Sequence, residues 1–334
     1  MRFGTASILG RPNVGKTTLL NRALGEELAV VSPVPQTTRD TLLGVVHRPR
    51  AQIAFLDTPG VHRPRSELGR RMNAAALGAA RSGDVIVLMT DVSPLLHRAS
   101  TKTARTTAPS EAPERMLPED RSLCQLVAAE SRERLLVINK VDLLKNKGLL
   151  LPYIQAFVEA CQPSEVLPVS LHDPTDVERV LGAIESKLPE GPPGYDEETL
   201  TTAPTNFFIR EYIREQVLHG AQSEVPHAVA VEIDRIDQDG DRMLIQATLH
   251  VDKPGQRKIL VGRGGSKIRE IGTLARQRIE ALVGGRVRLE LFVRVSPRWR
   301  DTARQLAELG YEPAEDSLLP DEFERASSSR GRTS

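Results

Sequence analysis

Gly10-Arg-Pro-Asn-Val-Gly15-Lys16-Thr17 follows the apolar run Ala6-Ser-Ile-Leu9 and leads into an amphipathic stretch, so a strand, a tight turn and a helix are expected in that order. This is the spacing of a phosphate loop. Its glycines let the backbone wrap closely, with N–H groups and the positive end of a helix dipole aimed at an anion. Lys16 is placed to reach β- and γ-phosphates and the Thr17 hydroxyl to bind Mg2+, while Arg11, Pro12, Asn13, Val14 and Thr18 complete the nucleotide-facing set.

Three further motifs follow in order. Asp57-Thr58-Pro59-Gly60 closes the run Ile53-Ala-Phe-Leu56, where a strand-end carboxylate can hold Mg2+ and the Gly60 N–H can meet a γ-phosphate. Asn139-Lys140-Val-Asp142 closes Leu135 to Ile138; a carboxylate at Asp142 accepts from N1–H and the 2-amino group of guanine, a donor pair that adenine lacks. After Val166 to Val169, Ser170 and Leu171 offer backbone N–H groups to the guanine O6, although Leu171 stands where alanine is usual. The chain therefore reads as binding GTP and GDP and hydrolysing GTP.

Between the first two motifs lies Pro35-Gln-Thr-Thr38-Arg-Asp40, in which Thr37 or Thr38 could bind Mg2+ only when the γ-phosphate is present; Thr38 is favoured. Val61 occupies the place where many GTPases carry a water-orienting glutamine, and valine cannot orient a nucleophile. Hydrolysis is then expected to rest on Lys16, Thr38, Gly60 and Asn13, with Asn13 a candidate ligand for K+.

The first half, 1–188, alternates such apolar runs with amphipathic stretches, which is the pattern of a mostly parallel α/β sheet. Residues 93–119 interrupt it with Pro, Ser, Thr and Ala and are expected to form a flexible insertion. Residues 189–204 (Pro189-Glu-Gly-Pro-Pro-Gly onward) are expected to be a linker, and 313–334 a disordered tail. Two cysteines cannot build a disulfide framework and suit a reducing cytosol. No apolar run approaches the ~18 residues that span a bilayer, which argues against an integral membrane protein.

Residues 205–312 change order: a helix from Asn206 to Leu218, strands from His227 to Ile236 and Met243 to Val251 separated by Asp237–Asp241, then Val261-Gly262-Arg263-Gly264-Gly265-Ser-Lys267 ahead of a helix Ser266–Val283 and a strand Val287–Val295. A G-x-x-G turn between two helical segments is the backbone clamp of a KH domain, here α+β and of type II, which grips about four nucleotides of single-stranded RNA. Net charge is only +1, yet residues 251–300 hold 13 Lys or Arg against 4 Asp or Glu, a local excess of nine.

Taken together, the motifs at Gly10, Gln36, Asp57 and Asn139, with Gly255-Gln-Arg257-Lys258, the turn at Gly262, Leu289-Glu-Leu-Phe-Val-Arg-Val and Leu309-Gly-Tyr311, resemble the Era GTPase family over residues 3–312. The resemblance implies a P-loop GTPase domain followed by a type II KH domain. It also implies an assembly factor for the 30S subunit that holds the 3′ end of 16S rRNA through Gly262, Arg263, Gly264, Gly265, Lys267, Arg257 and Lys258. A cytoplasmic monomer with peripheral contact at the inner face of the cell membrane is the corresponding expectation, and the lack of a transit peptide argues against a mitochondrial version. Two rival readings are a GTPase acting on tRNA or large-subunit rRNA and a nucleotide-independent RNA chaperone. The intact Lys16, Thr17, Asp57 and Asp142 argue against the latter.

Overall fold

The computed structural model describes residues 1–32, 37–96, 116–220 and 228–311. In the first domain the strands are β1 (Arg2–Gly10), β2 (Leu42–His47), β3 (Ala51–Asp57), β4 (Val85–Asp91), β5 (Glu133–Asn139) and β6 (Glu165–Pro168). They form one sheet in the order β2-β3-β1-β4-β5-β6, parallel except for β2 against β3. Every residue of β4 is buried, as a strand covered by helices on both faces must be. The helices are α1 (Lys16–Leu24), α2 (Glu67–Ser82), α3 (Pro118–Ala128), α4 (Leu150–Cys161) and α5 (Pro174–Lys187). The C-terminal ends of β1, β3, β4 and β5 carry Gly10, Asp57, Asp91 and Asn139 to one edge of the sheet, where ligands bind in this class of fold.

The second domain runs α6 (Thr205–Gly220), β7 (Val229–Asp239), β8 (Arg242–Val251), α7 (Pro254–Val261), α8 (Ser266–Val283), β9 (Arg286–Val295) and α9 (Ala303–Glu308). Its sheet is β7-β8-β9, with β8 and β9 parallel. One apolar cluster runs from Leu20 and Leu42 through Phe208 and Ile213 into Leu249 and Ile279, so the two domains share a core. A second joins them elsewhere: Leu68 and Met72 of α2 pack with Ala230, Trp299, Leu306 and Tyr311. Among the described residues no helix is long and apolar enough to cross a membrane.

Three expectations need correction. The edge strand β2 was not expected as a strand; Gly44 in its middle blurs its pattern, and its ladder is formed with β3. The segment Asp237–Asp241 is not a loop, because β7 continues to Asp239, which pairs with Arg242 across a turn containing Gly240. The flexible insertion expected over 93–119 is ordered at both described ends: Leu95 and Leu96 donate back to Val92 O, Leu95 and Met116 are buried, and α3 starts on Pro118. Residues 97–115 lie outside the described residues, as do Pro35, Gln36, His227 and the tail.

The stretch 189–204 is strapped to the first domain. The Gln52 amide donates to Tyr195 O at 2.7 Å and accepts from the N–H groups of Gly194 and Tyr195 at 2.8 and 2.9 Å. Thr201 pairs with Gly44, and the Val45 N–H donates to Leu200 O.

Candidate functional site

The loop from Gly10 wraps between β1 and α1, with Asn13 and Gly15 both at positive φ (64° and 110°). At Gly15 a Cβ would lie 2.4 Å from Asn139 Nδ2, so glycine is required by backbone angle and by space. Beside the loop opens a cavity of about 460 Å3. Pro12, Asn13, Gly15, Lys16, Thr17 and Thr18 form one wall; Thr38 and Gly60 face the phosphate end; Asn139, Lys140, Asp142 and Leu171 line the other end.

Lys16 is buried, and its Nζ donates to Gly10 O at 3.2 Å and Arg11 O at 3.0 Å. Burial lowers its pKa to about 8, despite the opposing pull of Asp57. Thr17 Oγ1 donates to Asp57 Oδ2 at 2.7 Å and lies 3.0 Å from Thr38 Oγ1. Asp57 is fully buried, its Oδ1 has no hydrogen-bond partner, and burial pushes its carboxyl up to about 6. A lone buried carboxylate oxygen beside two hydroxyls is the donor set that a hard divalent cation takes.

Asn139 ties three motifs together. Its Nδ2 donates to Val14 O at 2.9 Å, while Oδ1 accepts from the N–H groups of Lys140 and Leu171 at 2.7 and 3.2 Å. Lys140 Nζ donates to Asn13 O at 2.7 Å and to Asp91 Oδ2 at 2.6 Å. The remaining expected residues turn elsewhere. Thr58 Oγ1 donates to Ile8 O at 2.6 Å, Val14 lies in the core, the Ser170 N–H donates to Asp176, and the Arg11 side chain leaves the cavity for α3. Gly10 and Pro59 do not line the cavity either. Val61 is wholly buried, so it meets no nucleophile. Val30, Val31 and Ser32 line the cavity without any motif to announce them, and His172, which follows Ser170 and Leu171 in the expected motif, lines it too.

In the second domain, α7 ends at Gly262, a short turn Arg263–Gly265 follows, and α8 starts at Ser266. Gly264 has φ 58° and a Cβ there would meet nothing within 4 Å, so the position opens to solvent. Arg257, Lys258 and Arg263 are exposed, and Lys267 pairs with Glu270 at 2.8 Å. A groove of about 350 Å3 between α8 and β9 runs away from Gly265, lined by Arg269, Gly272, Arg276 and Leu291. Arg269 and Arg276 were not expected, although their spacing of seven along α8 puts them on one helix face.

A family model described as "50S ribosome-binding GTPase" matches residues 5–140, and one described as "KH domain" matches 224–300. The GTPase Era of Lacticaseibacillus paracasei is 40% identical over 309 residues, covering 92% of this chain and 96% of its own. The chain belongs to the Era GTPase family. The GTPase Era of Geobacter metallireducens is 38% identical over 312 residues, covering 93% of this chain and 98% of its own. Two solved Era structures each match with TM-score 0.81 at 32% identity over 93% of this chain. One, covered over its full length (100%), is an Aquifex aeolicus Era variant bound to GDP·AlF4−; the other, covered over 99%, holds MgGDPNP and nucleotides 1506–1542 of 16S ribosomal RNA.

The two halves of this Era-family GTPase meet at residues 37–40. Arg214 of α6 is buried, pairs with Glu211 (Nε to Oε1 3.0 Å) and also donates to Thr37 O. Arg210 holds Asp40 at 2.7 Å. Arg39 reaches the other way, donating to Tyr311 Oη at 3.4 Å and to Val229 O at 2.6 Å, with its guanidinium over the Trp299 ring. From α2, Arg71 donates to Tyr311 O.

Proposed function

We propose that this Era-family GTPase holds the 3′ end of 16S rRNA in its KH domain and assists 30S assembly, with GTP favouring the RNA-competent arrangement and hydrolysis favouring release. The observation that carries the proposal is the segment 37–40. Its Thr38 lines the nucleotide cavity and touches Thr17, while Thr37, Arg39 and Asp40 are bonded to α6, β7 and Tyr311. A change in order at Thr38 is thus mechanically shared with the RNA-binding half. The 16S fragment held by a related Era structure supports the choice of RNA.

In this reading Lys16 meets the β- and γ-phosphates, and Thr17, Thr38 and Asp57 hold Mg2+. Bound there, Mg2+ neutralises phosphate charge that Lys16 alone leaves uncompensated. Asp142 takes the guanine edge while Asn139 fixes the loops around it, and the Gly60 N–H registers the γ-phosphate. The turn Gly262–Gly265 with Lys267, Arg257 and Lys258 takes the RNA backbone. Because Val61 is buried, hydrolysis rests on charge neutralisation, with K+ held at Asn13. Turnover in K+ buffer is expected to exceed that in Na+ buffer by about tenfold, less than the loss of a whole transition-state donor because Na+ carries the same charge. Equal rates in the two salts, with and without RNA, count against a K+ site.

The direct test compares binding of a 16S 3′-end oligonucleotide, a tRNA and a 23S fragment, each with GDP or a non-hydrolysable GTP analogue. Tightest binding to the 16S oligonucleotide in the GTP form is expected. Preference for tRNA or 23S favours a different RNA target, and affinity independent of nucleotide sinks the switch. Gly264→Asp is expected to weaken that oligonucleotide at least about tenfold at fixed salt by setting a carboxylate against the phosphate backbone, while GTP affinity stays unchanged.

A further inference from the structure

Behind the phosphate loop, two carboxylates and two cations alternate in a row. Arg11 Nε donates to Asp120 Oδ1 of α3 at 2.8 Å, and Nη2 to Asp91 Oδ1 and Thr90 Oγ1 at the end of β4, both at 3.3 Å. Thr90 Oγ1 donates to Asp120 Oδ2 at 3.3 Å and lies 3.1 Å from Tyr153 Oη of α4, which donates to Asp91 O. Asp91 then holds Lys140, and Lys140 holds Asn13 O. The order is Asp120, Arg11, Asp91, Lys140. All but Lys140 are largely buried.

We propose that Asp120 is a positioning residue for nucleotide binding, acting through Arg11 to fix the start of the phosphate loop. Arg11 does not line the cavity, so its part in binding GTP is made through this anchor and its own backbone. The loop is held from behind at two points, Arg11 at its start and Asn13 at its middle, and Asp91 serves both. Asp120 secures Arg11 against being drawn wholly to Asp91, and puts α3 in direct contact with the phosphate machinery. These bonds touch no atom on which charge develops, so they contribute equally to ground state and transition state. The inference rests on the GTPase assignment alone, not on the RNA target.

The test uses the full chain with Mg2+ and GTP, measuring steady-state hydrolysis and the affinity of a fluorescent GDP analogue. Asp120→Asn, which keeps the shape, is expected to raise KM about tenfold and leave kcat within about twofold. Arg11→Ala is expected to do the same, and the double variant is expected to be no worse than Arg11→Ala alone, because both changes break one link. An unchanged KM in Asp120→Asn overturns the proposal, as does a double variant whose KM rises by the product of the single effects. If Asp120→Asn folds poorly, Arg11→Lys keeps the charge but loses the fork that spans Asp120 and Asp91. The same rise in KM, at a wild-type melting temperature, is then expected, and an unchanged KM overturns the proposal.

Discussion

Lys16→Met is expected to abolish tight GTP binding and, at the same time, to make the nucleotide-free protein more stable. The first effect follows from removing the only side-chain cation on the loop wall; a loss of about a thousandfold or more in affinity is expected where a buried ammonium meets two phosphates. The second follows from burial. Among the described residues the Lys16 amine donates to the Gly10 and Arg11 carbonyls at 3.2 and 3.0 Å, and burial lowers its pKa to about 8 from 10.5 against the pull of Asp57. A lysine whose folded pKa lies below its unfolded value destabilises the fold at neutral pH, here by roughly 3 kcal/mol. That penalty is complete below pH 8 and fades as pH rises toward 10.5. Thermal unfolding without nucleotide should therefore show the methionine variant melting higher near pH 7, with the gap closing toward pH 10. A variant that still binds GTP within about tenfold, or that melts lower at pH 7, contradicts this account.

Arg214→Ala is expected to be the most damaging single change at the domain interface. Arg214 is buried against Glu211, and removing one partner of a buried pair leaves an uncompensated charge, at about 3–5 kcal/mol. A fall in melting temperature of ~10 °C is the corresponding observable. The loss of the bond to Thr37 O also frees the segment carrying Thr38 from α6, so the surviving folded protein should bind RNA with an affinity indifferent to GDP or GTP analogue. Replacing Glu211 and Arg214 together with Gln and Met removes both charges and should recover much of the stability without restoring the nucleotide dependence. If the single variant keeps both its melting temperature and its nucleotide-dependent RNA binding, residues 37–40 are not the link.

What the sequence made readable was local. Gly10 to Thr17, Asp57 to Gly60 and Asn139 to Asp142 each lie in a few consecutive residues after a run apolar enough to be buried on both sides, so motif and strand support one another. β2 escaped because Gly44 dilutes its pattern, although its partner β3 begins only three residues beyond it. Separation in sequence hid the contacts that matter most. Arg11 with Asp120, Arg39 with Val229 and Arg214 with Thr37 join residues 109, 190 and 177 positions apart, and arginine on an amphipathic helix ordinarily reads as a solvated face. Thr58 sits inside the expected motif yet turns to Ile8 O, since a motif gives the residue type and the surrounding strands decide its direction.

Residues 189–204 carry a mechanical consequence. With Gly194 and Tyr195 gripped by Gln52, and Leu200 and Thr201 laid against β2, the link to α6 at Thr205 is only residues 202–204, and even there the Ala203 N–H donates to Thr201 Oγ1 at 3.1 Å. A tether that short cannot let the KH domain wander, and its effective concentration at the GTPase surface stays high even when every contact at 37–40 is broken. The RNA-binding half is therefore held within a few residues' reach of the GTPase surface, and contacts that break at 37–40 have the same partners close by to re-form.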